Sequence, residues 1–361
     1  MNVYVVSIAL SAGMILVSGI APVCGAEHES LGPSHSPRAS AVSESPTMPW
    51  QADLSVASVQ ALATGKNGAM YAGSFGHGIF RSADRGTTWV AAGGGVTDPF
   101  ILSLASAKDG TLYAGTFRGG VFRSRDEGNS WQAVNAGLKR LEVKALMVTD
   151  HDLYAGTGDG VYRFNESDQR WGVVTAGLDD VLVHSVARAS DGTLFAGTSG
   201  KGVYRFSPRS SGWVRLQHGL KDHEGMIENF IRVLVIDHDH SIFAGTFDGG
   251  VFRSSDGGGT WRPISRALPN DSIRGIVLID QGLIVGTGNG IFKTVDKGRQ
   301  WIPLNKGLTN LAVQVLMASE GGVLYAGTSA GIFRSDDGLS WVAVNQGLET
   351  GMAPPPFLFE K

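Results

Sequence analysis

The sequence predicts an all-β protein, a seven-bladed β-propeller of four-stranded antiparallel blades. Three observations lead there. A four-residue marker, Tyr/Phe/Ile-Ala/Val-Gly-Thr/Ser, recurs with its glycine at Gly73, Gly115, Gly156, Gly197, Gly245, Gly286 and Gly327. Tryptophan follows each marker, at Trp89, Trp131, Trp171, Trp213, Trp261, Trp301 and Trp341, in steps of 42, 40, 42, 48, 40 and 40 residues. Glycine supplies 51 of 361 residues, about twice its average usage, while charged residues fall to 17%, well below the usual quarter. A fixed period of this length marks a repeat architecture, and four short strands per period are what one propeller blade needs. So much glycine and so little charge fit turns between strands and argue against long helices with solvated faces.

Taken in chain order, residues 1–26 carry no charged side chain, and Val3 to Val23 are almost wholly apolar or small. That is the composition of a signal peptide or a membrane anchor, so the chain is expected to be exported, to the periplasm or outside the cell. Membrane contact, if any, would come through this segment. The only cysteine, Cys24, lies here, which leaves the folded part without a disulfide or a thiolate metal site. Residues 27–54 are rich in Ser and Pro and poor in anything to bury, as in a flexible spacer. Residues 55–349 hold the repeats, and 350–361 form a C-terminal tail. A hydrophobic share of 42% excludes a disordered chain, and a net charge of -3 excludes a strong phosphate-neutralising field, hence nucleic acid as a partner.

Within one repeat, runs of β-branched and aromatic residues alternate with turn residues. In the second copy the expected strands are Ile101 to Ala105, Thr111 to Ala114, Gly120 to Arg123 and Trp131 to Val134. Ahead of the tryptophan lies a Ser-x-Asp-x-Gly-x-x-Trp pattern, complete at Ser82-Asp84-Gly86-Trp89, Ser124-Asp126-Gly128-Trp131 and Ser254-Asp256-Gly258-Trp261. Thr294-Asp296-Gly298-Trp301 substitutes Thr for Ser, and the seventh copy, with Asp337, Gly338 and Trp341, is one residue shorter. Copies three and four keep only the tryptophan. The spacing suits a hairpin turn: the carboxylate accepts backbone N–H bonds, the hydroxyl closes the same turn, and glycine supplies a positive φ. Tryptophan, opening the fourth strand, buries a large area between blades.

These residues resemble the Asp-box (BNR-repeat) β-propellers over about 290 of the 361 residues. That family includes sialidases, other glycoside hydrolases, sorting-receptor ectodomains and the photosystem II stability/assembly factors. The resemblance implies the propeller fold and a purely structural role for the Asp-box turns. Its sialidase branch would imply an Arg-Ile-Pro string, three carboxylate-gripping arginines and a Tyr–Glu pair. No such string occurs, and each tyrosine of the folded part falls at a repeated packing position, which argues against sialidase chemistry.

What varies from blade to blade is the better guide to binding. The loops between second and third strands present His77, Arg118, Asp159, Lys201, Asp248, Asn289 and Ala330 at equivalent places, with Phe75, Phe117 and Phe247 just ahead of three of them. The longest step contains an insertion, residues 218–230, that adds His223 and Glu224. Loop carboxylates at Asp98, Asp179, Asp180, Asp222, Glu224, Glu228 and Asp271 are the candidates for a paired-carboxylate glycoside hydrolase. Neither the insertion's His and Glu residues nor Asp237-His238-Asp239-His240 has a metal-ligand spacing. The expectation is therefore a monomeric, non-enzymatic scaffold for a protein or glycan, assembly-factor-like, with no cofactor and no metal. The alternative is a carbohydrate-active hydrolase of the same fold.

Overall fold

The protein is a seven-bladed β-propeller, seen here in a computed structural model that describes residues 56–174, 177–220, 230–280 and 282–349. The N-terminal segment, the spacer, the insertion residues His223 and Glu224, and the tail lie outside the described residues. Each blade is a four-stranded antiparallel meander built from one continuous stretch, from Val59–Thr64 in blade one to Val342–Ala343 in blade seven. Among the described residues the only helical turn is the 3-10 turn Lys66–Gly68, and no helix is long and apolar enough to cross a membrane.

The first strands of successive blades touch all the way round, the first of blade seven (Val313–Ala318) meeting the first of blade one. They are thus the inner strands around the axis. Second strands such as Leu112–Thr116 and Leu324–Thr328 are buried at every position, because both faces of each sheet are covered by the neighbouring blades. The half-buried alternation that a lone sheet would show is accordingly lost. Outer strands shrink to two exposed residues in five of the blades, which limits the edge open to pairing with other chains.

The apolar core is divided among seven seams, each holding residues of two adjacent blades. Every repeating tryptophan lies in the seam with the preceding blade. Trp131 Nε1 donates to Ala92 O at 2.7 Å, Trp171 Nε1 to Val134 O at 2.6 Å and Trp341 Nε1 to Leu304 O at 2.7 Å. The same seams explain the marker glycine. A Cβ on Gly245 would lie 2.5 Å from Ile273 Cγ2 of the next inner strand, and one on Gly73 would lie 2.5 Å from Ile101 Cγ2. Only hydrogen fits where one blade's second strand meets the head of the next inner strand.

Closure uses this joint again, without strand exchange. Trp89 Nε1 of blade one donates to Val344 O at 2.9 Å, its backbone N–H to Gln346 O at 2.9 Å, and Tyr325 Oη of blade seven donates to Arg85 O at 3.0 Å. Tyr71 makes the matching bond to Glu127 O at 2.9 Å between blades one and two.

Tryptophan precedes the fourth strand rather than opening it in most blades, as Trp131 does before Gln132–Ala133; only in blade three does Trp171 fall inside the strand, Arg170–Val173. Its backbone N–H goes to the preceding connection in either case, Trp131 to Gly94 O and Trp171 to Ala136 O, both at 2.8 Å.

The Ser-x-Asp turns have a common bonding scheme. Ser82 Oγ donates to Asp84 Oδ1 (2.7 Å) and accepts from Gly86 N–H (2.8 Å), and residues 124–128 and 254–258 repeat the pair. Thr294 and Ser335 Oγ donate likewise to Asp296 and Asp337. One partner was not evident from the spacing: the residue just before tryptophan. Thr88, Ser130, Thr260 and Ser340 each give both a backbone N–H and a hydroxyl to the aspartate. These donors favour the ionised form and hold Asp84, Asp126 and Asp256 at about 2.

Because the folded values lie below the ordinary carboxylate value of 3.8, the turns contribute stability that is complete above about pH 4 and is lost as pH falls towards 2. Urea midpoints measured from pH 5 to pH 2.5 are expected to fall, and Asp84→Asn with Asp256→Asn to flatten that fall. A double variant with the wild-type slope would show that the turns do not set the acid limit.

Candidate functional site

The face opposite the Ser-x-Asp turns is built from the loops between second and third strands and from the connections between blades. The hydroxyl of each marker closes its loop by donating to a glycine carbonyl: Ser74 to Gly78 O (3.0 Å), Thr116 to Gly120 O (3.0 Å), Thr198 to Gly202 O (2.7 Å) and Thr246 to Gly250 O (3.0 Å), with Thr157, Thr287 and Thr328 doing the same. Each loop is thereby pinned while its tip residue is free to differ. His77, Arg118, Asp159, Lys201, Asp248 and Asn289 all sit in these seven loops.

Their surroundings divide them. The ring nitrogens of His77 are buried without a hydrogen-bond partner, and Phe75 of the same loop pairs edge-on with Phe100, 4.8 Å apart. Arg118 lies 5.2 Å over the Phe117 ring. Asp159 accepts from Thr157 Oγ1 and from Tyr162 Oη, both at 2.9 Å. Tyr162 therefore pairs with a carboxylate after all, but burial first and then Asp159 push its phenol up to about 12, so its proton stays on. Lys201 takes part through its carbonyl, which accepts from Arg215 Nε at 2.6 Å.

The loop carboxylates are not equivalent. Asp98 is buried and its Oδ2 accepts from the backbone N–H of Arg118 (2.5 Å) and Gly119 (2.9 Å), which ties the connection before blade two to the blade-two loop. It is a brace. Asp179 accepts from Gly177 N–H at 3.3 Å. Asp271 is different: burial, and after it the neighbouring Asp248, raise its carboxyl above the ordinary value. Asp222, Glu224, Glu228 and His223 lie outside the described residues. Asp237 Oδ1 closes its own turn on Asp239 and Ser241 N–H, and among the described residues no group of three potential ligands is placed to hold a metal.

Two features of this face were not singled out from the sequence. The first is a cleft of about 430 Å³ over blades two and three, lined by Phe117, Arg118, Arg140, Leu141, Glu142, Gly158 and Leu182. Its lining mixes apolar and charged side chains.

The second is a bulge at the second residue of every inner strand, just beneath the loop face. Ile231 pairs with Thr246 and Val233 with Gly245, which leaves Arg232 outside the ladder; the register jumps at the equivalent point in all seven blades. A bulge re-aims one side chain. In four consecutive blades that side chain is basic: Lys144, His184, Arg232 and Arg274. Gln314 and Gln60 follow in blades seven and one, and Leu102 in blade two.

These basic residues are buried or partly so, Lys144 at 2%, Arg232 at 6% and His184 at 7% exposure. Lys144 Nζ meets Glu142 Oε1 at 3.0 Å. Arg274 Nη1 donates to Gln314 Oε1 at 2.8 Å, and Arg232 lies 4.0 Å over the Phe247 ring. His184 Nε2 is 3.2 Å from Ser199 Oγ. Arg232 Nη1, Arg274 Nε and His184 Nδ1 are buried without a partner. Burial, followed by Lys144 and Arg232, holds His184 down at about 3, so it is neutral at pH 7. Burial and then Arg274 lower Arg232 to about 9. The signal in the sequence was one polar residue, recurring at the second place of an apolar run; the bulge that gives it meaning is not visible there.

No family model and no curated protein matches the chain. Solved structures do. Among them is the extracellular domain of a one-component system from B. thetaiotaomicron, at TM-score 0.66 and 18% identity, covering 78% of this chain and 38% of that one. The GH74 xyloglucanase from Xanthomonas campestris gives 0.66 and 16%, covering 81% and 55%. YCF48 bound to a D1 peptide gives 0.59 and 13%, covering 77% and 92%. The chain thus spans about two fifths to half of the first two proteins. At these identities the likeness is one of fold.

Proposed function

We propose that this chain is an exported, non-enzymatic Asp-box propeller whose loop face docks a protein or glycan. The observation that carries this reading is the cleft over blades two and three, lined by apolar Phe117, Leu141 and Leu182 and by charged Arg118, Arg140 and Glu142, with Phe117 and Arg118 on a loop pinned by the Thr116 hydroxyl. Export is supported by the extracellular domain among its structural neighbours, and a docking role by the peptide-bound propeller. An assembly-factor-like role rests on the second of these.

The test is capture by the full chain followed by a glycan array, repeated with Phe117→Ala and with Arg118→Ala plus Arg140→Ala. Losing an aromatic or arginine anchor is expected to weaken the captured interaction about tenfold or more, with circular dichroism unchanged. A partner held equally by wild type and both variants would place docking elsewhere.

A second reading, a carbohydrate-active hydrolase, is favoured by one observation: burial, and after it the neighbouring Asp248, raise the carboxyl of Asp271, the direction in which a general acid of such mechanisms is shifted. Asp271→Asn and Asp248→Asn are expected to abolish any glycan cleavage in reducing-end assays if this pair is catalytic. Cleavage that survives both substitutions would remove it.

A further inference from the structure

We propose that the mouth of the central channel over blades three to six binds a small anionic ligand through one carboxylate or phosphate group, held by Arg232, Arg274 and His184. This is a site apart from the cleft, and it does not depend on what docks there.

The argument starts from cost. Taking a guanidinium out of water is expensive unless its charge and its N–H groups are answered. Lys144 has Glu142 against it. Arg232 is answered by the face of Phe247 and Arg274 by the amide of Gln314, neither of which carries a negative charge. Each sits in the other's field, and His184 stands between Lys144 and Arg232 in ring order. Buried polar groups in proteins are with few exceptions hydrogen-bonded, yet here Arg232 Nη1, Arg274 Nε and His184 Nδ1, on three consecutive blades, are not.

Position adds a second line. All three belong to the bulged residues, at one level of the ring. A bulge repeated in seven blades belongs to the scaffold, but the residues placed on it do not repeat: one sector is basic and the opposite one carries Gln60, Leu102 and Gln314. A fold that needed only to fill this level could use Leu throughout, as blade two does. The basic sector instead gathers buried charge and N–H donors on one side of the ring at this level, where a planar or tetrahedral oxyanion admitted there would meet two guanidinium groups at once. Phe247 holds the plane of Arg232, so little side-chain freedom is left to lose on binding.

Isothermal titration and thermal unfolding of the full chain, with inorganic phosphate in one arm and malonate in the other, test the proposal. Sodium chloride at matched ionic strength is the control. A saturable rise in midpoint with phosphate, malonate or both, absent with chloride, is expected, and the arm that responds identifies the anion. Arg232→Gln and Arg274→Gln should each weaken that binding about tenfold, the loss of one charge-assisted hydrogen bond, and should raise the ligand-free midpoint by relieving like-charge repulsion.

A merely structural guanidinium would give the reverse, a lower midpoint with no anion response to lose. If Arg232→Gln does not fold, Arg274→Gln, which is less buried, reads the same loss. No saturable response in either arm, or an unchanged response in both variants, would overturn the proposal. Neither result bears on Phe117→Ala or the arginine pair at the cleft, so the two readings fail separately.

Discussion

Trp171→Ala is expected to cost about 3–5 kcal/mol, the range for removing a large buried aromatic side chain. Trp171 is 2% exposed, its ring centroid lies 5.1 Å from that of Phe164, and its indole N–H donates to Val134 O of the preceding blade at 2.6 Å. The substitution therefore opens a cavity and orphans a carbonyl at one seam together. Urea denaturation read by circular dichroism and by limited proteolysis checks it. Trp171→Phe, which keeps one aromatic ring but loses the bond and part of the buried volume, should recover part of the loss. A variant within about 1 kcal/mol of wild type would mean that the seam between blades two and three relaxes around the gap and that the repeating tryptophan is not the anchor argued for here.

Gly327→Val is the second large effect, expected at roughly 3 kcal/mol, the upper end of the cost of overpacking. A Cβ there would lie 2.6 Å from Val315 Cγ1, 2.8 Å from Val59 Cγ1 and 3.0 Å from Val59 O, and valine adds two methyl groups beyond it. The crowding falls on the one seam whose two sides are not consecutive in the chain. Gly245→Val meets Ile273 and Val233 just as closely, but there the blades are also joined by their connecting segment. Hydrogen exchange should accordingly show protection lost first around Val59, Trp89 and Leu348 in Gly327→Val, and a more even loss in Gly245→Val. Equal exchange patterns would mean that covalent continuity adds nothing to a seam.

Most of the fold was legible because the contacts that build it recur. A tryptophan and a small glycine every 40 residues report the same event, one blade meeting the next, and repetition turns two weak local signals into a strong one. Finer details were legible only in part. The hydroxyl before tryptophan escaped notice because Thr88, Ser130, Thr260 and Ser340 look like ordinary turn residues until their bonds to aspartate are seen. Asp98 read as a free loop carboxylate and is a buried brace, since nothing in the sequence shows that the N–H groups of Arg118 and Gly119 converge on it. The loop face was placed by topology, whereas the basic sector beneath it depends on a register jump of one residue, which leaves no mark in composition or spacing.

One further consequence concerns where the ring begins. Val56 and Glu349 form an antiparallel bridge, and Ala57 N–H donates to Leu348 O at 3.2 Å, so the two ends of the propeller are held together by hydrogen bonds where the other six seams are joined by the chain. The starting blade is then a matter of gene order rather than of architecture. A short tether across those ends, with the chain reopened in any other connection between blades, should yield the same ring with its unlinked joint moved.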